Sequence, residues 1–114
     1  MAVLPVMDQV LFPGVLIPIA AQRKKSRRLL EEVCGTDQHI VVFTQKNHSE
    51  DPTEMDLYPV GVVAKVLRVF NFKEDISVAV MQGIVRCHSL MVTSQSPYMR
   101  GTVTVAPKDG LVMD

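Results

Sequence analysis

The valine-rich middle of the chain constrains the fold most strongly, because it reads as three consecutive strands. Gly61–Phe70 is long and β-branched, Asn71–Asp75 is a polar turn, and Ile76–Gln82 is the returning strand. Gly83 then permits a bulge or bend before the next strand, Ile84–Val92. The returning strand alternates between two faces, one with Ile76, Val78 and Val80 and the other with Ser77, Ala79 and Met81.

Four further segments have the composition of strands. They are Ala2–Val6, Val15–Ala20, His39–Thr44 and Arg100–Ala106. Pro18 lies inside the second of these and has no backbone N–H, so we expect that strand at an edge or a bend of the sheet. His39–Thr44 contains a continuous apolar run, which favours burial on both faces. About seven short strands separated by turn signals predict a small barrel or sandwich.

One segment, Gln22–Val33, has good helical periodicity. Its buried face is predicted to contain Gln22, Ser26, Leu29, Leu30 and Val33. Gly35 follows as a stop signal, and the polar segment Gln45–Pro59 reads as a long loop of the kind that is often functional. The predicted fold class is therefore mostly β, a β-rich α+β domain with one helix.

Size, charge and cysteine content restrict the class of protein. The chain has 114 residues, enough for one domain, and 47% of them are hydrophobic. Lys and Arg total 12, as do Asp and Glu, which argues against a surface built for nucleic acid or an anionic membrane. There are two cysteines, no signal-peptide pattern and no apolar run near the roughly 18 residues that span a bilayer. We therefore expect a reduced intracellular protein.

The residue types that catalysis requires are not arranged for it. No glycine lies in a Gly-x-x-x-x-Gly-Lys-Ser/Thr frame, so a nucleotide site is not expected. No serine lies in a Gly-x-Ser-x-Gly frame, and Ser89 should point away from His88 because strand neighbours face opposite sides. The histidines and cysteines show no metal-ligand spacing. We expect no catalytic, cofactor-binding or metal-binding residues in this chain.

Two groups of side chains are candidates for binding. The basic cluster comprises Arg23, Lys24, Lys25, Arg27 and Arg28. It is interpreted either as a solvated face partly neutralised by Glu31 and Glu32, or as a docking patch for an acidic partner. RNA is a third interpretation, which the lack of interleaved aromatic residues weakens. The second group is Phe70 and Phe72, which flank the predicted turn, where an exposed aromatic ring can contact a partner.

Several motifs occur in an order that resembles a known family. Leu4–Ile19 holds a Leu-Pro-apolar strand, a Phe-Pro-Gly turn and an apolar strand with an internal proline. The segments that follow in order are Arg23–Val33, Val42–Lys46 with its Gln-Lys ending, Asp51-Pro52, Asp56–Tyr58, Val60–Val66 and Met81–Arg86 with its Gly-apolar-x-Arg motif. Together, over about residues 3 to 92, they resemble the N-terminal domain of the Lon protease family. Asn71–Asp75 departs from the family, which often has Pro-Asp-Gly there, and the match is less clear after Thr93.

The resemblance implies a PUA-like pseudo-barrel subdomain that occupies residues 1–114 of a longer protein. Full-length Lon continues with a helical subdomain, an AAA+ ATPase and a Ser-Lys protease, so ATP and magnesium would belong to the parent and not to this chain. Lys108–Asp114 carries no stop signal, which fits a longer chain that has been cut. The implied role is to capture substrate and support the assembly, in the cytoplasm of a bacterium or, alternatively, in a mitochondrion.

The implied partners are unfolded or tagged proteins and the other domains and subunits of the ring, without membrane or nucleic acid. The hypothesis is that Arg23, Lys24, Lys25, Arg28, Phe70 and Phe72 contact these partners. Its rivals are a PUA-like RNA-binding module, a stand-alone Lon-like adaptor with no protease attached and, with the least support, an enzyme within these residues.

Overall fold

Six strands and one helix make up the part of the chain that the computed structural model describes, which is residues 1–105. The strands are β1 (Ala2–Val6), β2 (Leu16–Ala21), β3 (His39–Thr44), β4 (Val60–Lys73), β5 (Ile76–Ser94) and β6 (Arg100–Val105). The helix α1 spans Lys24–Val33, and a 3-10 turn spans Glu54–Asp56. Ala106, the predicted end of the last strand, and Lys108–Asp114 lie outside the described residues.

The sheet closes on itself. Its strand order is β2-β5-β4-β3-β1-β6, and β6 also pairs with the second half of β5. β1 and β3 are parallel, with Val3 opposite Val41, and the remaining pairings of the described strands are antiparallel. This closed sheet with one helix confirms the predicted mostly-β barrel class.

β5 is one continuous strand where the sequence indicated two. Val63 pairs with Val85 and Ala64 with Gly83, so Ile84 is the extra residue of a bulge. The loop after β1 supplies the missing backbone bonds, because the Gly83 N–H donates to the Val15 carbonyl at 3.0 Å. A Cβ on Gly83 would collide with the Phe12 carbonyl oxygen. Gly83 therefore bends the strand without ending it, which reduces the predicted seven strands to six.

The apolar side chains form two clusters. The helix cluster, which includes α1, contains Leu4, Ile19, Leu29, Leu30, Ile40, Val42, Ala64, Ala79 and Met81 among its members. The barrel cluster contains Val3, Val41, Phe43, Leu57, Val63, Cys87 and Met99. Alternate residues of β3 enter different clusters, so the strand is buried on both faces as predicted.

β2 is an edge strand, since it pairs only with β5. The expectation that Pro18 marks an edge is thereby confirmed. A proline in such a strand directs its nitrogen to the unpaired side, where no ladder bond is lost. It also prevents a continuous ladder along that edge and so discourages an added strand.

Helix α1 starts two residues later than predicted. Ser26, Leu29, Leu30 and Val33 are buried as expected, whereas Gln22 precedes the helix and is exposed. Gly35 adopts a φ of 80°, the left-handed conformation that ends helices. Among residues 1–105, no helix has the length and hydrophobicity needed to cross a bilayer.

Candidate functional site

An apolar sheet face formed by β2, the first half of β5 and the second half of β4 is open to solvent. Two neighbouring rows of paired residues define its two sides. The inner row, Ile19, Ala79 and Val69, packs in the helix cluster. The outer row is Ala20, Val78 and Phe70. We use the term outer face for Leu16, Pro18, Ala20, Phe70, Val78 and Val80.

The outer face is exposed although it is apolar. Leu16 is 57% exposed and Phe70 is 49% exposed, while Val78 and Val80 are half-buried. The guanidinium carbon of Arg68 lies 5.8 Å from the centre of the Phe70 ring, at the margin of the face. Contiguous apolar surface on a folded domain marks a place where another molecule binds.

Two bulges in β4 add apolar side chains to the surface of the hairpin. The register passes from Val66 to Arg68 and from Asn71 to Lys73 with one residue skipped each time. The skipped residues are Leu67 and Phe72, and both are exposed. A bulge redirects a side chain out of the regular alternation, and Phe72 thereby becomes a 67%-exposed ring next to the hairpin turn.

The first part of the basic cluster is attached to the loop between β3 and β4. Arg23 donates from Nη2 to the Ser49 carbonyl at 2.9 Å, and Lys25 Nζ lies 3.0 Å from Asp51 Oδ1. Lys24 is exposed and has no hydrogen bond or ion pair within residues 1–105. Two of these three cations therefore support the loop, and one remains available.

The second part of the cluster holds the helix to its surroundings. Arg28 Nε lies 3.0 Å from Glu32 Oε2, one turn along the helix, which fits the expected partial neutralisation of the cluster by Glu32. Arg27 instead donates from Nη2 to the Glu74 carbonyl at 3.1 Å and so joins the helix to the β4–β5 turn. At exposed positions such pairs contribute little stability.

The six predicted site residues fall on more than one surface. Val69 packs toward the helix cluster, so its neighbour Phe70 faces away from α1, which carries Lys24, Lys25 and Arg28. Phe72 lies beside the turn that Arg27 contacts. Their role in binding stays a prediction. Leu16, Val78 and Val80 were not predicted as candidate binding residues. Their alternation with inward-facing residues is visible in the sequence, but alternation alone does not show which face of the sheet is covered.

The long loop Gln45–Pro59 is ordered by its own side chains. Asn47 Nδ2 donates to Asp56 Oδ1 at 3.0 Å, and the Thr53 N–H donates to Asp56 Oδ2 at 2.8 Å. These hydrogen bonds lower the pKa of Asp56, and the bond from Asn47 has the largest effect. The loop is therefore a fixed support for the cations of α1.

The other end of α1 is held by a hydrogen-bonded carboxylate. Glu32 receives hydrogen bonds from Arg28 at 3.0 Å and from the Tyr98 hydroxyl at 3.0 Å, and these lower its pKa. Burial has the largest effect on the pKa of Tyr98 and raises it, and the hydrogen bond to Glu32 raises it further. Arg100 Nη1 donates to the Tyr98 oxygen at 3.3 Å.

His88 and Ser89 are closer than the sequence analysis expected. His88 Nδ1 lies 2.8 Å from Ser89 Oγ, so the expectation that the two side chains point apart was wrong. The cause is a bulge between the pairings of His88 and Met91, where Ser89 adopts a φ of 56°. Both side chains are exposed, and within residues 1–105 no carboxylate bonds to the imidazole.

Cys87 is a further reactive side chain, and it lies in the barrel cluster. Burial raises the pKa of Cys87 to about 11, which leaves its thiol protonated and unreactive at neutral pH. No three side chains of His, Cys, Asp or Glu within residues 1–105 come together as a metal site.

Comparison with known proteins shows which family this chain resembles. Residues 1–111 match the family model of the ATP-dependent protease La (LON) substrate-binding domain. The chain is 36% identical over 113 residues to a Lon protease of Anaeromyxobacter dehalogenans, and the alignment covers 98% of this chain and 13% of that protein. A Lon protease of Parabacteroides distasonis is 38% identical over 104 residues, with 90% and 13% covered. The chain thus spans about an eighth of the length of these relatives.

Solved structures show the same fold. The N-terminal domain of the Mycobacterium avium complex Lon protease superposes with a TM-score of 0.71 at 22% identity and covers 94% of this chain and 54% of that one. The Lon N-terminal domain protein from Xanthomonas campestris gives a TM-score of 0.69 at 15% identity, with 96% and 60% covered. With the family model matching nearly the whole sequence, this chain belongs to the Lon substrate-binding domain family.

Proposed function

We propose that this chain is the substrate-recognition domain of a Lon-type ATP-dependent protease and that it binds unfolded polypeptide on the outer face. The observation that carries this proposal is a set of neighbouring apolar side chains on one sheet face that includes the exposed Leu16 and Phe70. Unfolded chains expose apolar side chains, and covering apolar area yields about 25 cal/mol per Å². Membership of the family supports a protein ligand.

The geometry of the face favours weak binding of many sequences. Pro18 interrupts the free edge of β2, so a bound segment cannot add a regular strand there. The contacts are then made by side chains such as Leu16 and Phe70, which do not require a particular backbone register. A surface of this kind can hold a segment and release it to the next step.

We place the chemistry of proteolysis in domains of a longer protein, outside this chain. Residues 1–105 provide no metal-binding group of acidic, His or Cys side chains, and the sequence has no phosphate-binding glycine frame. We propose that ATP, magnesium and the peptide-cleaving residues belong to other domains of a longer protein, as membership of the family suggests. We infer that the domain itself is not catalytic and that it supports the assembly through contacts with neighbouring domains and subunits.

The cytoplasm of a bacterium is the proposed location, which the bacterial origin of the relatives supports. The RNA-binding alternative has less support, because Arg23, Lys25, Arg27 and Arg28 already bind protein groups. A stand-alone adaptor is less consistent with relatives that are about eight times longer.

A binding assay with a permanently unfolded protein tests the proposal. The probe is a fluorescent, reduced and carboxymethylated lactalbumin, titrated with the 114-residue chain. Leu16→Ser and Phe70→Ser should each weaken binding about fivefold, since each removes roughly 1 kcal/mol of apolar burial.

Met91→Ser is the matched control, because Met91 is an apolar side chain at least as exposed as Leu16 and Phe70 but lies in the half of β5 that pairs with β6. This variant should bind lactalbumin as tightly as the unsubstituted chain does. If both outer-face variants keep full affinity while remaining folded by circular dichroism, the outer face is not the binding surface.

A further inference from the structure

An apolar cavity of about 270 Å³ lies at the first turn of α1, where the helix meets β1 and the segment before β6. Its walls are Val3, Pro5, Leu29, Pro52, Tyr98 and Met99. Pockets that hold whole small-molecule ligands are typically larger, so a cavity of this size suits a single apolar side chain.

The rim of the cavity is the start of the helix. Arg23 is the extended residue before α1, and no side chain caps the first turn. The first intrahelical bond runs from the Arg27 N–H to the Arg23 carbonyl at 2.9 Å. The N–H groups of Lys24, Lys25 and Ser26 therefore have no acceptor inside the helix, and the helix dipole adds positive potential at this end.

Ser26 provides an independent indication of a ligand. The residue is only 7% exposed, it lines the cavity, and its hydroxyl has no hydrogen-bond partner within residues 1–105. The Ser26 hydroxyl borders the cavity, where it can form a hydrogen bond with a polar atom of a ligand.

The charges around the rim favour an anion. Arg23, Lys24 and Lys25 line the cavity together with Glu50 and Asp51. Asp51 neutralises Lys25, with 3.0 Å between the charged atoms. Arg23 is held by a backbone carbonyl, and the Lys24 ammonium has no partner in the described residues. The rim therefore has three cations and two carboxylates, an excess of one positive charge beside the positive end of the helix dipole.

We propose that this cavity binds the C-terminal end of a polypeptide. The terminal carboxylate would accept hydrogen bonds from the free N–H groups of the first turn and from Ser26, with Lys24 beside it. The apolar side chain of the last residue would fill the cavity. An internal Asp or Glu would bring the carboxylate without an apolar group on the same residue, whereas an apolar C-terminal residue supplies both. The inference rests on the proposed function only in taking the ligand to be a polypeptide.

Peptide titration tests the proposal on the full 114-residue chain. The probe is a fluorescent Gly/Ser octapeptide ending in Leu-Leu with a free carboxylate. Its C-terminal amide and the same peptide ending in Ser-Ser should each bind about tenfold more weakly, the loss expected for one charge-assisted contact or one buried side chain. Equal affinity of the acid and the amide within twofold would overturn the proposal, and so would binding of either only at millimolar peptide.

Variants separate a binding role from a structural one. Ser26→Ala should leave the thermal midpoint unchanged or higher, because the Ser26 hydroxyl makes no hydrogen bond within residues 1–105 and alanine favours a helix, yet it should weaken binding of the peptide acid severalfold. Lys24→Ala should also weaken it severalfold and reduce its dependence on salt. Lys65→Ala is the control, since Lys65 does not line the cavity and its ammonium makes no hydrogen bond or ion pair within residues 1–105, and it should have no effect. Unchanged binding in both cavity variants would contradict the assignment.

The methionine methyl groups locate the peptide. With 13C-labelled methionine, the Met99 methyl signal should shift on binding, whereas those of Met55 and Met91, which do not line the cavity, should not. Phe70→Ser should leave this titration unchanged. If Phe70→Ser weakens lactalbumin binding while the peptide acid and amide remain equal, the C-terminal site is excluded and the proposed function stands.

Discussion

The Tyr98 hydroxyl donates to Glu32 Oε1 over 3.0 Å and so joins the segment before β6 to the last turn of α1. The two residues are 66 positions apart in the sequence. The contact links the helix to the strand that closes the sheet. Arg28 and Arg100 complete a short chain of charge-assisted hydrogen bonds around it.

Tyr98→Phe should lower the thermal midpoint, because it removes this bond and leaves the ring in place. Differential scanning fluorimetry at pH 7 measures the change. Tyr58→Phe is the matched control, since the Tyr58 hydroxyl has no partner in residues 1–105, and it should not shift the midpoint. Equal midpoints for the parent chain and Tyr98→Phe would show that the contact adds nothing to stability.

Stability should fall on acidification, and Glu32 should cause part of the fall. The hydrogen bonds from Arg28 and Tyr98 hold the pKa of Glu32 below its ordinary 4.5, and Asp56 is likewise shifted below 3.8. A carboxyl with a lowered pKa stabilises the fold above its unfolded value and loses that contribution as pH falls through its folded value. Urea denaturation between pH 7 and 3 should therefore show a steeper loss for the parent chain than for Glu32→Gln. If the free energy of unfolding falls equally with pH in the unsubstituted chain and in Glu32→Gln, Glu32 does not contribute to the acid sensitivity.

Gly83→Ala should destabilise the chain by about 2–4 kcal/mol, because the new Cβ meets the backbone of Phe12 at a buried position of the sheet. Gly35→Ala should cost about 1–2 kcal/mol, through its left-handed φ and not through a collision. Asparagine tolerates that φ, so it should partly restore stability at position 35 but not at 83. Equal rescue at both sites, measured by chemical denaturation, would contradict the steric argument.

Cys34 should react with iodoacetamide well before Cys87 in the folded chain. Burial holds the Cys87 pKa at about 11, so almost none of it is thiolate at pH 8, whereas Cys34 is half-buried. Mass spectrometry should detect one fast modification, which Cys34→Ser removes. Both cysteines should react together once urea is added. Two equally fast modifications without urea would mean that the barrel core opens readily.

Some parts of the fold follow from local chemistry and were predictable. A missing N–H placed Pro18 at an edge, the left-handed preference of glycine ended the helix at Gly35, and an unbroken apolar run buried both faces of His39–Thr44. Each outcome depends on the residue itself or on its immediate neighbours. The order of short motifs likewise indicated the family.

Other parts depended on which segments meet. The sequence showed two faces along β5, and by hydrophobicity the Ile76–Val78–Val80 face would be the better candidate for the core. The fold buries Ser77, Ala79 and Met81 instead and leaves Val78 and Val80 half-exposed. The reason is that α1 packs on that side, and Ser77 has a hydrogen-bond partner in Asn71 at 3.2 Å.

By itself, the amino-acid sequence determined the strand-rich class, helix α1 and the family, whereas the predicted turn Asn71–Asp75 was too long, because β4 continues to Lys73. These features rest on backbone propensities and on periodicity over a few residues. Only the tertiary structure decided that β5 continues through Gly83, that His88 meets Ser89, and that Phe70 and the basic helix lie on opposite sides of the sheet. Those outcomes depend on contacts between distant segments, whose combined packing energy outweighs what any one segment prefers alone.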